Sequence, residues 1–507
     1  MKSIEKIYKW IIVIFMLLIT GYLTVNSLFV RADLPIDGVT EKTVFHKSLW
    51  PVLLLLTAVL VWAIARNRER ISRLDSGKLV RALLVFDFLL CMLWVVLCNT
   101  HEGADQAQVL YAAKQFSQGN YQKLLPDQYM GMYPFQLPLA LLYEPFYLLF
   151  GDVTPFLWQF INAFLICGIQ YVLYLLVCKM TEERTWINLF LLLQFLDLPL
   201  ILYVSFVYGT LIGLFLALAA LYLLEEYGRK GGLRRAVGAA VCIAAACLLR
   251  TNNSIYLIAL CIVSLLLLFK KRRGVLVFAA LALILFVGGR QGVYRLYEWR
   301  SGMEICEGEP STLWIAMGLS PNEERAAGWY NGYTWDTYLE LGCDTKAAES
   351  FARERIGESL AAFGASAGYT ARFFGEKINS TWLNPDFQAL WNNSHHGHYV
   401  ACAPVIYNLF TGELHTLAEL VLHVIQFWVY MGALLYFWGH RKKTDWTQCS
   451  LALVFIGGFL FHLFWETKAQ YVITYYVLLF PYAAAGYLWL ADKLRLCVLL
   501  KKAKQHK

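Results

Sequence analysis

Apolar runs of about 20 residues recur along the whole chain, and short polar segments separate them. A helix of about 20 apolar residues is long enough to cross the hydrocarbon core of a bilayer. The pattern therefore predicts an all-α polytopic membrane protein. The twelve predicted spans lie at residues 8–30, 49–65, 79–98, 155–178, 186–204, 209–227, 236–249, 254–269, 274–289, 418–438, 447–465 and 471–490.

Composition supports the same class. Of the 507 residues, 59% are hydrophobic and 16% are charged, whereas about 25% of residues are charged in an average globular protein. The mean hydropathy is +0.50. These values exclude an ordinary water-soluble enzyme and agree with a chain that passes the bilayer many times.

Clusters of lysine and arginine give the predicted orientation, since cytoplasmic loops are enriched in both residues. With the N-terminus inside, the clusters Arg66-Asn-Arg-Glu-Arg70, Lys270-Lys-Arg-Arg273 and Arg441-Lys-Lys443 all fall on the inner side. We therefore predict a multi-pass protein of the plasma membrane with cytoplasmic N- and C-termini. The net charge of +8 then reports topology, and no basic run interleaved with aromatics points to nucleic acid.

This arrangement divides the chain into five regions. Residues 1–98 hold spans one to three, 99–154 form an outer loop, 155–289 hold spans four to nine, 290–417 form a large extracytoplasmic loop, and 418–507 hold the last three spans and a basic tail. Segment 133–150 is apolar but contains three prolines and Glu144. Prolines break helices, so we place this segment in the outer interface, with a kinked span as the alternative.

Asp105 is the first candidate for chemistry. It opens a segment in which Val109, Ala112, Ala113 and Phe116 repeat at helical spacing. In the first turn of that helix, free N–H groups and the helix dipole favour the ionised carboxylate, which can accept a proton. The alternative is that Asp105 only caps the helix.

Cations at the outer ends of spans form the second candidate group. Arg250 ends the span at 236–249, and Lys468 stands between the last two spans. Outward cations beside the hydrocarbon edge suit a phosphate headgroup, with Lys377 and Arg372 of the long loop as further donors. The alternative for each residue is snorkelling to the interface.

The long outer loop also carries aromatic, turn-rich stretches around Trp329, Tyr330 and Trp382. Aromatic rings among Asn and Asp suit stacking on sugars, and interface anchoring is an equally good interpretation. His395, His396 and His398 could ligate a metal, but no carboxylate or cysteine stands at a familiar spacing. We therefore predict no metal ligands, although a divalent ion such as Mg or Mn stays compatible with the function below.

Several short motifs resemble a known family. Gly103-Ala-Asp-Gln-Ala-Gln-Val-Leu-Tyr-Ala-Ala-Lys-Gln-Phe-Ser-Gln-Gly-Asn-Tyr121, followed by Tyr133-Pro134, resembles the first outer loop of GT-C membrane glycosyltransferases of the protein-mannosyltransferase, family 39-like type. Glu466-Thr-Lys-Ala-Gln-Tyr471 with Pro481 resembles their last outer loop. The stretches at 314–319 and 328–333 resemble poorly characterised Gram-positive proteins of this type.

The resemblance implies a polyprenyl-phosphate sugar donor and a carboxylate base in the first outer loop. Asp105 matches the acidic position, but Gln106 replaces the frequent second acid, for which Glu102 could substitute. Gln470 stands where an Arg is common, which shifts phosphate binding to Lys468 or Arg250.

We therefore predict an inverting glycosyltransferase at the outer face of the membrane, with Asp105 as general base. Its partners are a polyprenyl-phosphate-linked sugar and a cell-envelope glycan, teichoic acid or protein acceptor. The predicted substrate-binding residues are Tyr133, Trp329, Tyr330, Trp382, Glu466 and Tyr471.

Two other classes remain open at this stage. An O-antigen polymerase or ligase also has about a dozen spans and a late outer loop, and it would depend on Arg and His of that loop. A lipid-linked-sugar flippase or transporter would need charges at mid-membrane, and few lie there: Asp87 and Glu419, with Asp197 near the end of a span. Transport is therefore the least favoured of the three classes.

Overall fold

The chain folds almost entirely into helices. The computed structural model describes residues 2–36, 40–394, 402–442, 444 and 447–505, with the side chains of residues 4–496 within these ranges. Its two strands, β1 (Val30–Asp33) and β2 (Val44–Lys47), pair antiparallel with Val30 opposite Lys47. The helices of the first half are α1 (Lys2–Phe29), α2 (Trp50–Arg73), α3 (Ser76–Cys98), α4 (Ala104–Ser117), α5 (Tyr129–Met132), α6 (Leu137–Phe150), α7 (Thr154–Met180), α8 (Arg184–Gln194), α9 (Leu198–Leu202), α10 (Thr210–Lys230) and α11 (Leu233–Leu249).

The second half is equally helical. It comprises α12 (Ser254–Phe269), α13 (Gly274–Ser301), α14 (Ser311–Gly318), α15 (Tyr333–Glu340), α16 (Thr345–Ala365), α17 (Ala367–Trp382), α18 (Ala389–Ser394), α19 (Pro404–Thr411), α20 (Glu413–His440), α21 (Ser450–Phe464), α22 (Ile473–Tyr476) and α23 (Phe480–Gln505).

Every predicted span is helical, and the predicted all-α polytopic membrane class is confirmed. Within the described chain, nine helices are long and apolar enough to cross a bilayer, and the bent pair α8–α9 makes ten. The count of twelve included α11 and α21, which have 17 and 15 residues. Both are shorter than the stretch of about 20 residues that spans the hydrocarbon core.

The span predicted at 186–204 is broken rather than continuous. Its two helical pieces meet at 44°. Pro199 has no backbone N–H, so it cannot donate to the carbonyl four residues earlier, and α8 cannot continue through it; at the start of α9 the same proline is tolerated. The bend therefore follows directly from the position of the proline.

One end of the helix bundle collects the basic loops, and we call it the basic end. The loops predicted to lie on the inner side of the membrane contact one another at this end, although they are far apart in sequence. The joining contacts are Lys270–Glu5 at 3.0 Å, Lys9 to the Lys442 carbonyl at 2.7 Å, Arg68–Glu183 at 3.2 Å, Arg68–Asp492 at 2.5 Å and Arg272 to the Arg229 carbonyl at 2.9 Å.

The opposite end, which we call the cavity end, is built by α4, α6 and the helices of the long loop. The predicted apolar face of α4 is buried: Val109 and Phe116 are fully enclosed. They share a core with Leu313 of α14 and Ala352 of α16. The amphipathic helix α4 thus packs against the helices of the long loop through its apolar face.

Helix α6 covers residues 137–150 of segment 133–150 and has 14 residues, which gives it a length of roughly 21 Å. A helix of that length is too short for a core about 30 Å thick. Its first turns pack beside Tyr208 at the start of α10, where Gln136 donates to the Tyr208 hydroxyl at 2.6 Å. Its last residue leads into the first turn of α7, near the Lys114–Asp152 ion pair. The interfacial placement stays a prediction that this geometry favours.

Candidate active site

A cavity of about 350 Å³ opens at the cavity end, beside the first turn of α4. It is enclosed by polar and aromatic side chains from both outer regions, from the ends of α10, α11, α12 and α21, and from α13. Its lining includes Asp105, Tyr129, Tyr133, Gln136, Tyr208, Arg250, Arg290, Tyr294, Glu309, Trp314, Tyr330, Trp465, Glu466 and Tyr471.

Asp105 is exposed to this cavity and does not cap its helix. The N-cap of α4 is Gly103, and no side chain accepts a capping hydrogen bond there. Ala104 has a φ of +47°, a conformation that costs energy for a residue with a side chain. Gln106 is buried, and its Oε1 accepts from the Val207 amide at 3.0 Å. The strained turn and the Gln106 anchor together aim Asp105 outward.

A second cavity of about 100 Å³ adjoins the first. Both cavities are lined by Asp105, Tyr208, Tyr330 and Tyr471. The smaller one adds Asn392, Gln470 and an ion pair between Lys468 and Glu41. Groups bound in either cavity can therefore approach the Asp105 carboxylate.

Arg250 also lines the larger cavity, at the end of α11. Its guanidinium lies 4.3 Å from the centre of the Tyr208 ring and 6.0 Å from that of Tyr471. It forms no ion pair with a carboxylate of the described chain. Aromatic rings thus hold the guanidinium in place while its charge stays available to an anion.

Lys468 also reaches the site, but its charge is neutralised. Its ammonium group lies 2.6 Å from Glu41, which also pairs with Arg325 at 2.9 Å. Burial raises the pKa of Glu41, and the two cations outweigh burial, so the pKa lies below its ordinary value. Lys468 therefore stiffens the wall of the smaller cavity.

The other two cations predicted to bind phosphate line neither cavity. Lys377 is buried, and its ammonium group donates to the carbonyls of Gly318, Leu463 and Trp465. Burial lowers the pKa of Lys377 to about 7, yet three carbonyl partners use all three N–H groups of the ammonium form. Arg372 is exposed on α17, away from the site.

The predicted substrate-binding aromatics separate into two sets. Tyr133, Tyr330 and Tyr471 line the larger cavity. Trp329 is completely buried and donates to Ser380 at 2.8 Å. Trp382 is also buried and packs on Phe455 and Phe459. These two tryptophans support the fold behind the site.

Two further tryptophans reach the cavity without having been predicted. Trp314 and Trp465 lie in parallel, with ring centres 6.0 Å apart and an angle of 9°. Both line the larger cavity. They offer flat apolar surfaces of the kind on which a sugar ring can rest.

Two buried carboxyl groups face the same cavity as Asp105. Glu466 accepts from the Tyr471 hydroxyl at 3.1 Å, and burial raises its pKa to about 7. Burial raises the pKa of Glu309 to about 8, although the Tyr133 and Thr334 hydroxyls oppose this increase. Neither oxygen of Glu309 has a well-aligned hydrogen bond to a described residue. Near neutral pH both groups can hold a proton and donate it to a ligand.

A glycine sets the position of Glu309. Gly308 has a φ of +77°, and an added Cβ would lie 2.5 Å from the Met132 carbonyl. The Glu309 amide donates to that same carbonyl at 2.9 Å. The close approach fixes the long loop against the Tyr133-Pro134 element and brings Glu309 into the cavity.

Glu102, the second predicted catalytic carboxylate, is half-buried and lines neither cavity. No group of three or more His, Cys, Asp or Glu side chains among the described residues is arranged to hold a metal. His395, His396 and His398 lie outside the described residues. Of the two predicted catalytic carboxylates, Asp105 lines the cavities and Glu102 does not.

Comparison with known proteins adds one distant likeness. No family model and no curated protein matches the chain. A solved structure that is similar is the archaeal oligosaccharyltransferase AglB from Archaeoglobus fulgidus, in complex with an inhibitory peptide and a dolichol-phosphate. The TM-score is 0.40 at 14% identity, and the match covers 84% of this chain and 52% of that one. The chain therefore spans about half the length of that protein.

Proposed function

We propose that this protein transfers a sugar from a polyprenyl-phosphate donor to an acceptor hydroxyl at the outer face of the membrane. One observation carries the proposal: an exposed carboxylate, Asp105, lines the same aromatic cavity as Arg250, a guanidinium with no carboxylate partner among the described residues. A base and an anion-binding cation on the walls of one cavity suit substitution at a carbon that bears a phosphate leaving group.

In the proposed reaction, the acceptor oxygen attacks the anomeric carbon from the side opposite the phosphate. Asp105 takes the proton of the attacking hydroxyl as the new C–O bond forms. The bond between the anomeric carbon and the phosphate oxygen breaks, and its electron pair leaves with the lipid phosphate. Because the attack is a single displacement, the configuration at the anomeric carbon inverts.

Arg250 stabilises the charge that develops on the leaving phosphate. A guanidinium can donate two parallel hydrogen bonds to a phosphate, and the nearby rings of Tyr208 and Tyr471 help to hold this one in place. A phosphate leaves without being protonated near neutral pH. The step therefore needs a single base and no separate acid.

The location follows from the distribution of charge. The basic end carries the Lys and Arg clusters that face the cytoplasm by the positive-inside tendency, so the cavity end faces outward. A lipid-linked donor and a cell-envelope glycan, teichoic acid or protein acceptor can meet there. The Tyr330 ring beside Asp105 and the Trp314–Trp465 pair provide stacking surfaces for the sugars.

The direct test replaces Asp105 by Asn in the full-length protein, purified in lipid nanodiscs. The probes are undecaprenyl-phosphate-linked glucose, mannose and galactose, and the readout is release of undecaprenyl phosphate by mass spectrometry. Loss of a general base typically costs 10²- to 10⁴-fold, so we expect a fall of about that size for D105N.

Asp127→Asn is the matched control, because Asp127 is an exposed carboxylate of the same outer loop and lines neither cavity. We expect D127N to retain wild-type release. Equal activity of D105N and the wild type would refute the assignment of the base. Such a result would favour an O-antigen-type polymerase or ligase that depends on loop arginines.

A further inference from the structure

Arg290 is a second cation of the larger cavity, and the proposed transfer step does not use it. It belongs to α13 and lines the cavity together with Arg250. None of the ion pairs of the described chain includes it, and its Nε is buried without a hydrogen-bond partner there. The side chain as a whole is half-buried, and its guanidinium lies 5.7 Å from the centre of the Phe286 ring. A cation at a cavity wall with an unbonded buried Nε and no carboxylate partner among the described residues is suited to an anionic ligand.

Helix α13 connects this cation to the bilayer. It has 28 residues, so it is about 42 Å long and exceeds the hydrocarbon core by roughly 12 Å. It is also the least buried of the nine membrane-length helices in the described chain. Most of its surface is therefore available to lipid.

A single face of α13 runs from lipid into the cavity. Leu276, Leu283, Val287, Arg290 and Tyr294 repeat at spacings of three, four and seven, which puts all five on one side of a helix. Leu276, Leu283 and Val287 are exposed apolar side chains, at 57%, 50% and 49%. Arg290 and Tyr294 line the cavity. The apolar part of this face leads directly to the cation.

We propose that the donor lipid lies along this face, with its isoprenoid chain against Leu276, Leu283 and Val287 and its phosphate between Arg290 and Arg250. This inference rests on the proposed function for the identity of the lipid. The transfer step itself requires neither Arg290 nor a route for the donor lipid along α13. Arg290 is thus a binding residue for the donor phosphate, and Asp105 acts on the acceptor.

Binding of undecaprenyl phosphate without a sugar tests the inference separately from catalysis. The full-length protein in nanodiscs of phosphatidylcholine is titrated with the lipid, and bound lipid is counted by native mass spectrometry. We expect Arg290→Ala to weaken binding about 10-fold or more, because one charge-assisted pair is lost. Arg290→Lys should fall between R290A and the wild type, since lysine keeps the charge without the two-point geometry.

The matched control is Arg295→Ala. Arg295 lies on the same helix, is mostly exposed and pairs with Glu298 at 3.0 Å. R295A should bind undecaprenyl phosphate like the wild type. Equal binding by R290A and R295A, or equal binding of phosphatidylglycerol and undecaprenyl phosphate, would overturn the inference. Saturation by inorganic phosphate at the same concentration would overturn the role of the lipid chain.

A photoreactive isoprenyl phosphate tests the entry path. After irradiation, the labelled peptides should come from α13 around residues 276–287, and labelling should decrease in R290A. Labels confined to other helices would refute the path. If D105N binds the lipid normally while no donor supports transfer, the proposed function fails and this inference stands. If transfer is observed but R290A binds normally, the inference alone fails.

Discussion

The basic end and the cavity end of the molecule use their cations in opposite ways. At the basic end, Lys179 and Lys230 both pair with Glu226. Other cations of that end bind carboxylates or helix carbonyls. At the cavity end, Arg250 and Arg290 line an open space without forming an ion pair to the described residues. The cations named at the basic end thus have partners within the protein, whereas the two arginines of the larger cavity have no carboxylate partner among the described residues, as the proposed binding of an anion requires.

The cavity end itself contains both kinds of cation. Lys377 and Lys468 belong to it, but carbonyl groups bind the first and Glu41 binds the second. Sequence position alone does not distinguish these two lysines from Arg250 as candidates for binding a lipid phosphate. What separates them is the presence of fixed partners in the fold. The comparison therefore predicts different consequences for cations that look alike in the sequence.

The largest effect on stability is expected for Lys377→Met. Methionine has a similar length but leaves the carbonyls of Gly318, Leu463 and Trp465 without a donor. Removing one side of a buried charged contact costs about 3 kcal/mol, so thermal unfolding in detergent should shift to clearly lower temperature. Arg372→Met, at an exposed position of the same helix, is the control. Similar melting of K377M and R372M would show that Lys377 does not hold these segments together.

Arg250→Ala should affect activity more than folding. Loss of a preorganised donor to a developing anionic charge costs about 10²-fold in kcat. Arg250→Lys keeps the charge but not the stacking on Tyr208 or the two-point hydrogen bonding, so it should recover part of the activity. The measurement is the initial rate of undecaprenyl phosphate release alongside the melting temperature. An unchanged rate for R250A would place the leaving group elsewhere.

Much of the fold was predictable because it follows from periodicity. Runs of about 20 apolar residues specify helices in a bilayer, where every backbone polar group must be bonded within the helix. The apolar face of α4 followed from spacing in the same way. The number of full-length spans was overestimated, because α11 and α21 are apolar but have only 17 and 15 residues.

The candidate site was predictable only in part. Asp105, Arg250, Glu466 and Tyr471 stand at the ends of helices, so sequence position alone brought them to one side of the membrane. Glu41 and Glu309 come from segments whose route depends on tertiary contacts, such as the approach of Gly308 to Met132. Arg290 carried one available signal: a cation near the end of a span, on the same helical face as apolar residues.

Glu309 gives the cavity end a pH dependence of stability. Its pKa is about 8 in the folded chain and near 4.5 when exposed, so the folded state holds a proton that the unfolded state releases between these values. Stability contributed by this group is therefore present below about pH 4.5 and is lost as pH rises to about 8, by at most ~1.4 kcal/mol per pH unit. Melting temperatures from pH 5 to 9 should fall less steeply for Glu309→Gln.

Glu304→Gln is the control for that series, since Glu304 is an exposed carboxylate of the same segment. It should retain the wild-type slope. Glu466 has a raised pKa of about 7, so part of the slope should persist in E309Q. Identical slopes in the wild type and E309Q would show that Glu309 is ionised in the folded protein throughout this range.

The smallest effect is expected for Lys230→Ala at the basic end. Lys230 lies 2.9 Å from Glu226 one helical turn earlier, and its side chain is 59% exposed. Exposed pairs at this spacing contribute about 0.3–0.5 kcal/mol, and Lys179 continues to neutralise Glu226 in the variant. Melting temperature and binding of undecaprenyl phosphate should both stay at wild-type values. If K230A instead weakened lipid binding as R290A is expected to do, the distinction between paired and free cations would not hold, because a distant and neutralised charge would then be setting the affinity of the cavity.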